Sequence, residues 1–535
     1  MQSSDRREIF VALIAPIGVD LNAVEAALNH SLRKVGYTTN TVRLTELFKD
    51  VEHGYDVSWA NEFQRYEKYI DAGDKLRVDT SRNDIFALYG IQRLTIYSDR
   101  NLKEDVPKDV AHIFRQIKRP EEIIKLKQVF GRNILFVSCY DSKDNRVNNL
   151  IKKLLRTERG RSRTDLESQA LQIMAIDEDE RGHVAGQRVL DCYQHADYVL
   201  DCQSKVNLSK SADRLIKIHF GHPYISPTMD EYCSYYANAA AYRSLDLSRQ
   251  VGVAIFTDKC EIISLGCNEV PKAGGGTYWA DDDNDRRDYI LGRDSNHQVR
   301  EDMATDALKR LQEGWLDPKL KNLTPEELSI RAFERPDSPL RGAMIADVME
   351  YGRMVHAEMN AITDAARTHK SVQDAILYST TMPCHLCTKL IVASGIKRVV
   401  YVQPYPKSLI HELYEDSVAI DQPDCNDKVI FETLKGVTPN GYQIAFRKVK
   451  PRKLPDGRTV EWDPLKSDPI FLSYYPYYQQ HEVAATEELK ASLADLAKAV
   501  QRRTKNKAAQ RAKTTRPPTK KTKQQAKPPP SSAAP

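Results

Sequence analysis

The chain has 535 residues, nine cysteines and a formal net charge of +5, and its length predicts two or three domains rather than one. The scattered cysteines exclude a disulfide framework, and the absence of both a run of about 20 apolar residues and a secretion signal excludes a membrane protein, so we expect it in the cytoplasm. Residues 1–500 carry 68 basic against 74 acidic residues, because residues 501–535 hold 11 lysines and arginines and no acid. This balance excludes a main body that binds polyanions by bulk charge.

The first predicted element is a continuous apolar strand at residues 9–14, followed by an amphipathic helix that begins at Leu21. The loop between them consists of Ala15, Pro16, Ile17, Gly18, Val19 and Asp20. A strand, a tight loop and a helix form the frame of a phosphate-binding loop, in which Lys reaches the phosphates and Ser or Thr holds magnesium. Val19 and Asp20 replace those two residues, so the loop is degenerate. We expect a kinase-shaped domain without kinase activity, which binds a regulatory nucleotide, assembles an oligomer or is a scaffold without a ligand.

The middle of the chain carries a zinc-site motif formed by His356, Glu358, Cys384 and Cys387. Zinc usually has four protein ligands in a structural site and three in a catalytic site, where water takes the fourth position. One imidazole and two thiolates make a set of three, and the glutamate two residues after the histidine can transfer protons to and from the water. The alternative is a structural site with His385 or Cys425 as the fourth ligand.

The helices and strands predicted around the motif favour a zinc site formed at the starts of helices. Pro383 is typical of a helix start and Gly395 of a helix end, so both thiols should lie in the first turn of a helix. The positive end of the helix dipole favours the thiolate form that zinc requires. Residues 375–380 and 398–402 are predicted to be the strands before and after this helix.

His-x-Glu followed by Pro-Cys-x-x-Cys is the signature of the zinc nucleobase deaminases. Residues 228–232, 248–255 and 266–271 are similar to the first helix and first two strands of the deoxycytidylate deaminases. In that family the asparagine that matches Asn268 contacts the nucleotide sugar; the other interpretation is a turn residue after a strand. Residues 272–279 resemble, more narrowly, the bacterial anti-phage dCTP deaminases, which join a P-loop kinase-like domain to a deaminase domain.

The resemblance covers roughly residues 8–446. It implies a Zn²⁺ cofactor, with deamination of dCTP to dUTP and of dCMP to dUMP, and depletion of the dCTP pool as an anti-phage defence. It also implies a homo-oligomer and a small regulatory RNA as a partner. The alternative is a cytosine editor that binds RNA or single-stranded DNA, or an RNA-regulated nucleic-acid-binding module. The acidic main body disfavours this alternative, because strand binders need a basic groove.

The expected fold class is α/β, with two domains and a C-terminal extension. Residues 8–225 should form a degenerate P-loop kinase-like three-layer α/β/α domain, and residues 226–460 a cytidine-deaminase-like α/β/α sandwich with an insertion at 272–350. An aromatic and helical extension at 461–500 follows. Residues 501–535, rich in Lys and Pro, are expected to be disordered.

Overall fold

The structure is a computed structural model that describes residues 7–101, 109–178, 185–335, 338–340, 343, 345, 348, 350–405, 408–470 and 478–514. Residues 471–477 of the predicted aromatic and helical extension, and residues 515–535 of the Lys- and Pro-rich segment, lie outside the described residues. Within the described ranges, no helix has both the length and the apolar character needed to cross a membrane.

The strands of the described residues form two sheets of six strands each. The first sheet contains β1 (Arg7–Ile14), β2 (Thr38–Arg43), β3 (Asp109–Ile117), β4 (Ile134–Tyr140), β5 (Tyr198–Asp201) and β12 (Gly436–Val437). The second contains β6 (Gly252–Phe256), β7 (Ile262–Cys267), β8 (Ile376–Thr381), β9 (Arg398–Gln403), β10 (Val418–Ile420) and β11 (Val429–Thr433).

The two sheets are mostly parallel. The first has the order β12-β5-β4-β1-β3-β2, in which only β12 is antiparallel to its neighbour. The second has the order β10-β11-β9-β8-β6-β7, in which β6 is antiparallel to both β7 and β8. Parallel pairs require crossover connections, which the helices between the strands supply.

Nine helices of the described residues precede or follow strands of the first sheet: α1 (Leu21–Arg33), α2 (Leu47–Asp50), α3 (Glu62–Thr80), α4 (Ile85–Asn101), α5 (Pro120–Phe130), α6 (Lys143–Leu154), α7 (Arg163–Glu178), α8 (Val189–Cys192) and α9 (Lys205–His219). The later helices are α10 (Met229–Ala241), α11 (Asp288–Leu291), α12 (Ser295–Gly314), α13 (Pro325–Ser329), α14 (Ala357–Arg367), α15 (His385–Ala393), α16 (Ile410–Leu413), α17 (Pro439–Phe446) and α18 (Tyr478–Thr514).

Helices cover both faces of the first sheet. Successive residues of a strand point to opposite faces, so Phe10, Ala12 and Ile14 of β1 pack in one core with residues of α4, α5 and α18. Val11 and Leu13 pack in a second core with residues of α1 and α9. The N-terminal part therefore has the three-layer α/β/α arrangement that the sequence predicts.

The second sheet is layered in the same way. Val253 and Ile255 of β6 pack with Ala361 of α14, whereas Ala254 and Phe256 face α10 on the other side. The predicted boundary at 225/226 falls between α9 and α10. This α/β/α sandwich agrees with the fold class expected for residues 226–460.

A buried carboxylate joins the two sheets. Glu231 of α10 accepts hydrogen bonds from the Val437 N–H of β12 at 2.8 Å and from the Arg214 guanidinium of α9 at 2.5 and 2.8 Å. Gly436 has φ of +103°, and a Cβ atom there would lie 2.3 Å from Glu231 Oε1. Only glycine therefore allows β12, which belongs to the predicted second domain, to complete the first sheet.

The C-terminal helix α18 extends further than the sequence predicts. Ala485, Leu489 and Leu496 are buried in the core shared with α4 and α5, and the helix continues to Thr514. The expectation of disorder is therefore wrong for residues 501–514. Ala, Lys, Gln and Arg are strong helix formers, and a helix that is already docked extends at little cost because nucleation has occurred.

Glu482 of α18 makes the stability depend on pH. Its burial and the nearby Glu8 raise the pKa of this carboxyl to about 8, whereas a glutamate in an unfolded chain has a pKa of about 4.3. The unfolded state therefore loses this proton first, and stability falls as the pH rises from about 4 to about 8. We expect Glu482→Gln to raise the free energy of unfolding by about 1–3 kcal/mol at pH 8 and to change it little at pH 4.

Urea denaturation at both pH values measures this difference. The matched control is Glu487→Gln, because Glu487 lies on the same helix but is exposed and pairs with Lys490 at 2.7 Å. A stabilisation by Glu482→Gln that is equal at pH 4 and pH 8 would contradict the assignment.

Candidate active site

The zinc-motif residues stand at the starts of two helices. His356 is the N-cap residue of α14, Cys384 is the N-cap residue of α15, and Cys387 lies in the first turn of α15. Strand β8 ends at Thr381 and delivers the chain to α15, as the sequence predicts. Helix α15 ends at Ala393, two residues before the glycine, Gly395, that the sequence predicts as its end.

The three potential ligand atoms lie close together. His356 Nδ1 is 3.3 Å from Cys387 Sγ and 3.4 Å from Cys384 Sγ, and the three atoms lie within 4.8 Å of one another. Tetrahedral zinc with bonds of about 2.1 Å to nitrogen and 2.3 Å to sulfur places its ligand atoms about 3.5–3.8 Å apart. The cluster therefore fits a zinc ion.

A fourth protein ligand is not part of this cluster in the described residues. Cys425 is separate, since its thiol donates a hydrogen bond to Asp427 at 3.1 Å. His385 follows Cys384 in the chain but does not belong to the group. The arrangement of three ligands leaves one tetrahedral position for water, which is typical of a catalytic site and not of a structural one.

Glu358 lies beside the cluster, and its pKa depends on its burial and on the charges around it. Its side chain is buried, and the Cys387 thiol donates a hydrogen bond to its Oε2 at 3.3 Å. Burial, followed by the charge of Cys384, raises the pKa of Glu358. The hydrogen bond with Cys387 and the neighbouring His356 lower the pKa of Cys384 to about 4, which favours the thiolate. A carboxyl with a raised pKa next to a water site can both accept and release a proton.

The cluster opens into a cavity of about 260 Å³. His356, Glu358 and Cys384 line it. Elsewhere its lining includes the side chains of Asp246, Arg249, Asn268, Asp294, Asn296, Met354 and Tyr405. The lining combines apolar residues such as Met354 and Met382 with several polar groups, a combination that is typical of a small-molecule site.

Asn268 lines this cavity, and its amide also has a structural role. Its Oδ1 accepts a hydrogen bond from the Val251 N–H, and its Nδ2 donates one to the Arg249 carbonyl, both at 2.8 Å. These contacts fix the segment before β6 that forms one wall of the cavity.

The lining residues that were not assigned from the sequence include Arg249, Asp294 and Asn296. Asp294 and Asn296 belong to the predicted insertion, and Asp294 accepts hydrogen bonds from the N–H groups of Asn296 and His297 at the start of α12. An Asp immediately before a helix indicates this N-cap. No sequence signal indicates that the cap faces the cavity, because that depends on how the insertion packs.

The degenerate loop at residues 15–20 connects β1 to α1, as predicted, and belongs to the first sheet rather than to the zinc cluster. The Ile17 N–H donates to Asp177 Oδ2 at 2.7 Å, and Lys118 also binds the fully buried Asp177 carboxylate. A Cβ atom on Gly18 would lie 2.6 Å from the Cβ of Arg146. The loop is therefore packed against the protein itself, and one of its N–H donors binds an internal carboxylate.

The middle of the chain is similar to a known protein family. Residues 227–403 match the family model described as the cytidine and deoxycytidylate deaminase zinc-binding region. This segment is similar to a deaminase zinc-binding region. It contains His356, Cys384 and Cys387, so the cofactor of this site is zinc.

Curated relatives match mainly in short segments. The chain is 48% identical over 54 residues to the deoxycytidylate deaminase of Enterobacteria phage T2, which is 10% of this chain and 29% of that protein. It is 34% identical over 80 residues to ComE operon protein 2 of Bacillus subtilis, which is 15% of this chain and 42% of that protein. The chain thus spans less than half of the length of these relatives.

Among solved structures, the chain is similar to the dCMP deaminase from the cyanophage S-TIM5 in its apo form, with 17% sequence identity and a TM-score of 0.21. The similarity covers 39% of this chain and 100% of that one. The same enzyme in complex with dCMP and dUMP gives 16% identity and a TM-score of 0.22, with the same coverage.

Replacement of one thiolate should remove zinc from the zinc-binding region. Loss of a side chain that hydrogen-bonds to a zinc ligand weakens metal binding by roughly 10–100-fold. We expect Cys387→Ser to weaken zinc binding by more than this, because it removes a ligand itself. Elemental analysis after dialysis measures the zinc content per chain. Cys425→Ser is the matched control and should retain zinc; equal zinc content in the two variants would contradict the ligand assignment.

Proposed function

We propose that this protein is a zinc-dependent hydrolytic deaminase of deoxycytidine nucleotides, which converts dCTP to dUTP and also dCMP to dUMP. The observation that carries the proposal is the buried Glu358 carboxyl beside a three-ligand zinc cluster that lines a cavity. The similarity of the zinc-binding region to phage deoxycytidylate deaminases supports the choice of a deoxycytidine nucleotide.

The reaction replaces the 4-amino group of cytosine by the oxygen of a water molecule and releases ammonia. Zinc, when bound, acts as a Lewis acid that lowers the pKa of a water molecule in the open position. Glu358 transfers both protons of the attacking water in turn: it delivers the first to N3 of the base as the oxygen bonds to C4, and the second, from the resulting hydroxyl, to the amine as the C4–N bond breaks. Its position supports this role, because the buried carboxyl lies beside the three-ligand cluster and lines the same cavity.

The cavity offers groups for the rest of the nucleotide. Asn268 would bind the sugar through the hydrogen-bonding capacity left after its contacts with residues 249–251. Arg249 is exposed at the cavity and has no ion pair with any described residue, so its guanidinium would bind a phosphate. Asp294 and Asn296 would contact the substrate, so the insertion would form part of the binding site.

The biological role follows from the resemblance noted in the sequence. Depletion of the dCTP pool would act as an anti-phage defence. The part at residues 8–225 would be a degenerate P-loop kinase-like domain that regulates the deaminase, in a homo-oligomer that a small RNA controls. The three-layer arrangement of this part and the position of the loop between β1 and α1 support the comparison.

A substrate panel tests the proposal. Purified zinc-loaded protein is incubated separately with dCTP, dCMP, CTP and a cytosine-containing single-stranded DNA, and ammonia and uracil products are measured. We expect deamination of dCTP and dCMP. Deamination of the oligonucleotide alone would overturn the proposal in favour of a polynucleotide editor.

Glu358→Gln should reduce kcat by about 10²–10⁴-fold, because the amide cannot carry the proton. Zinc content should not change, since the side chain is not one of the three ligands. Steady-state kinetics and elemental analysis measure the two effects. Glu313→Gln, on the exposed surface of α12, is the control and should leave both unchanged; loss of zinc from Glu358→Gln would contradict the role.

Arg249→Gln should lower kcat/KM for dCTP and dCMP about tenfold and leave deoxycytidine turnover unchanged, since only the nucleotides carry phosphate. The control is Arg286→Gln, because Arg286 is exposed, bonds to Asn284 at 3.1 Å and does not line the cavity. An equal decrease for deoxycytidine would show that Arg249 supports the cavity wall and does not bind phosphate.

A further inference from the structure

A second cavity lies in the N-terminal part, next to the degenerate loop and away from the zinc-binding region. Its volume is about 320 Å³, and its wall includes Pro16, Gly18 and Val19 of the loop. The wall also includes the end of β2, residues of α3 and α4, and Lys153 of α6. This volume is in the lower part of the range for small-molecule sites.

The lining of this cavity is strongly basic. It contains one acidic residue, Glu122, and six basic ones: Arg43, Arg65, Arg77, Arg115, Lys118 and Lys153. Four of the six bind carboxylates of their own chain. Arg43 and Lys153 make no ion pair with any described residue. Two positive charges are therefore available to an anion that enters.

Arg77 provides an independent indication of a ligand. Its side chain is only 3% exposed, and its guanidinium is held by Asp74 at 3.1 Å and by the Ala185 carbonyl at 3.2 Å. Its Nε is nevertheless buried without a hydrogen-bond partner among the described residues. Buried donors of this kind are costly unless a water or a ligand satisfies them, and this one belongs to a side chain of the cavity wall.

Aromatic rings form the apolar side of the cavity. Phe48, Tyr66, Tyr69 and Phe86 line it. The Phe48 ring packs edge to face against Tyr69 and Phe86, with centroid distances of 5.6 and 5.7 Å. Such rings give a flat base a surface for stacking, with little preference among bases.

We propose that this cavity binds a nucleoside monophosphate. The phosphate pairs with Arg43 and Lys153, and the base lies against the aromatic side. A monophosphate is favoured over a triphosphate because Asp177 already accepts the Ile17 N–H of the loop and Arg146 packs on Gly18, so the loop has no place for further phosphates. The site belongs to the first sheet and is independent of the proposed deaminase activity.

Isothermal titration calorimetry on the full-length, zinc-loaded protein tests this proposal. The probes are dAMP, dGMP, dTMP, AMP and GMP, none of which carries the 4-amino pyrimidine that a deaminase would consume. Inorganic phosphate and the matching nucleosides are the comparison ligands. We expect a monophosphate to bind at one site per chain, at least about tenfold more tightly than its nucleoside or phosphate alone, because both ends of the ligand contribute.

Arg43→Gln and Lys153→Gln should each raise the Kd for that monophosphate about tenfold, since each removes a charge-assisted contact. Lys152→Gln is the matched control, because Lys152 is the exposed neighbour of Lys153 on α6 and does not line the cavity. Absence of monophosphate binding, or binding that neither cavity substitution weakens, overturns the proposal. Deamination assays on the same variants report separately on the zinc-binding region.

Discussion

The zinc cluster depends on how closely α14 packs against β7. A Cβ atom at Gly266 would lie 2.4 Å from the Ala357 carbonyl oxygen and 2.6 Å from the Ala361 nitrogen, so only glycine permits this contact. Polar contacts then fix the helix, since Asn360 Oδ1 accepts the Cys267 N–H at 3.2 Å. These contacts set the position of His356 at the start of α14. The same packing buries Glu358, so one helix–sheet interface determines both a ligand and the carboxyl beside it.

The core of this site could be predicted from the sequence because its parts are local. His356 and Glu358 are two residues apart at one helix start, and Cys384 and Cys387 are three apart at another, so helix geometry alone fixes each pair. The meeting of the two pairs follows from the signature of the family. Arg249 could not be assigned in this way, because its place at the cavity depends on the hydrogen bonds that Asn268 makes to residues 249–251.

Other features depend on contacts between distant residues, and these the sequence does not reveal. The carboxylate that binds the loop at residue 17 comes from Asp177, 160 residues later. The helical state of residues 501–514 depends on the docking of Leu489 and Leu496 in a core formed by the N-terminal part. Composition alone favours disorder for such a Lys-rich segment, and a docked helix that precedes it reverses the outcome.

Because of strand β12, neither the part of the chain up to α9 nor the part from α10 onwards is complete without the other. Because Gly436 and Val437 pair with Val199 and Tyr198 of β5, a fragment that ends after α9 would leave the backbone groups of β5 without their neighbour and open that border of the sheet to other chains. A fragment that begins at α10 would in turn keep the Glu231 carboxylate but lose Arg214, leaving a buried charge without its counter-ion. Each half therefore depends on the other, and the chain is best regarded as one folding unit.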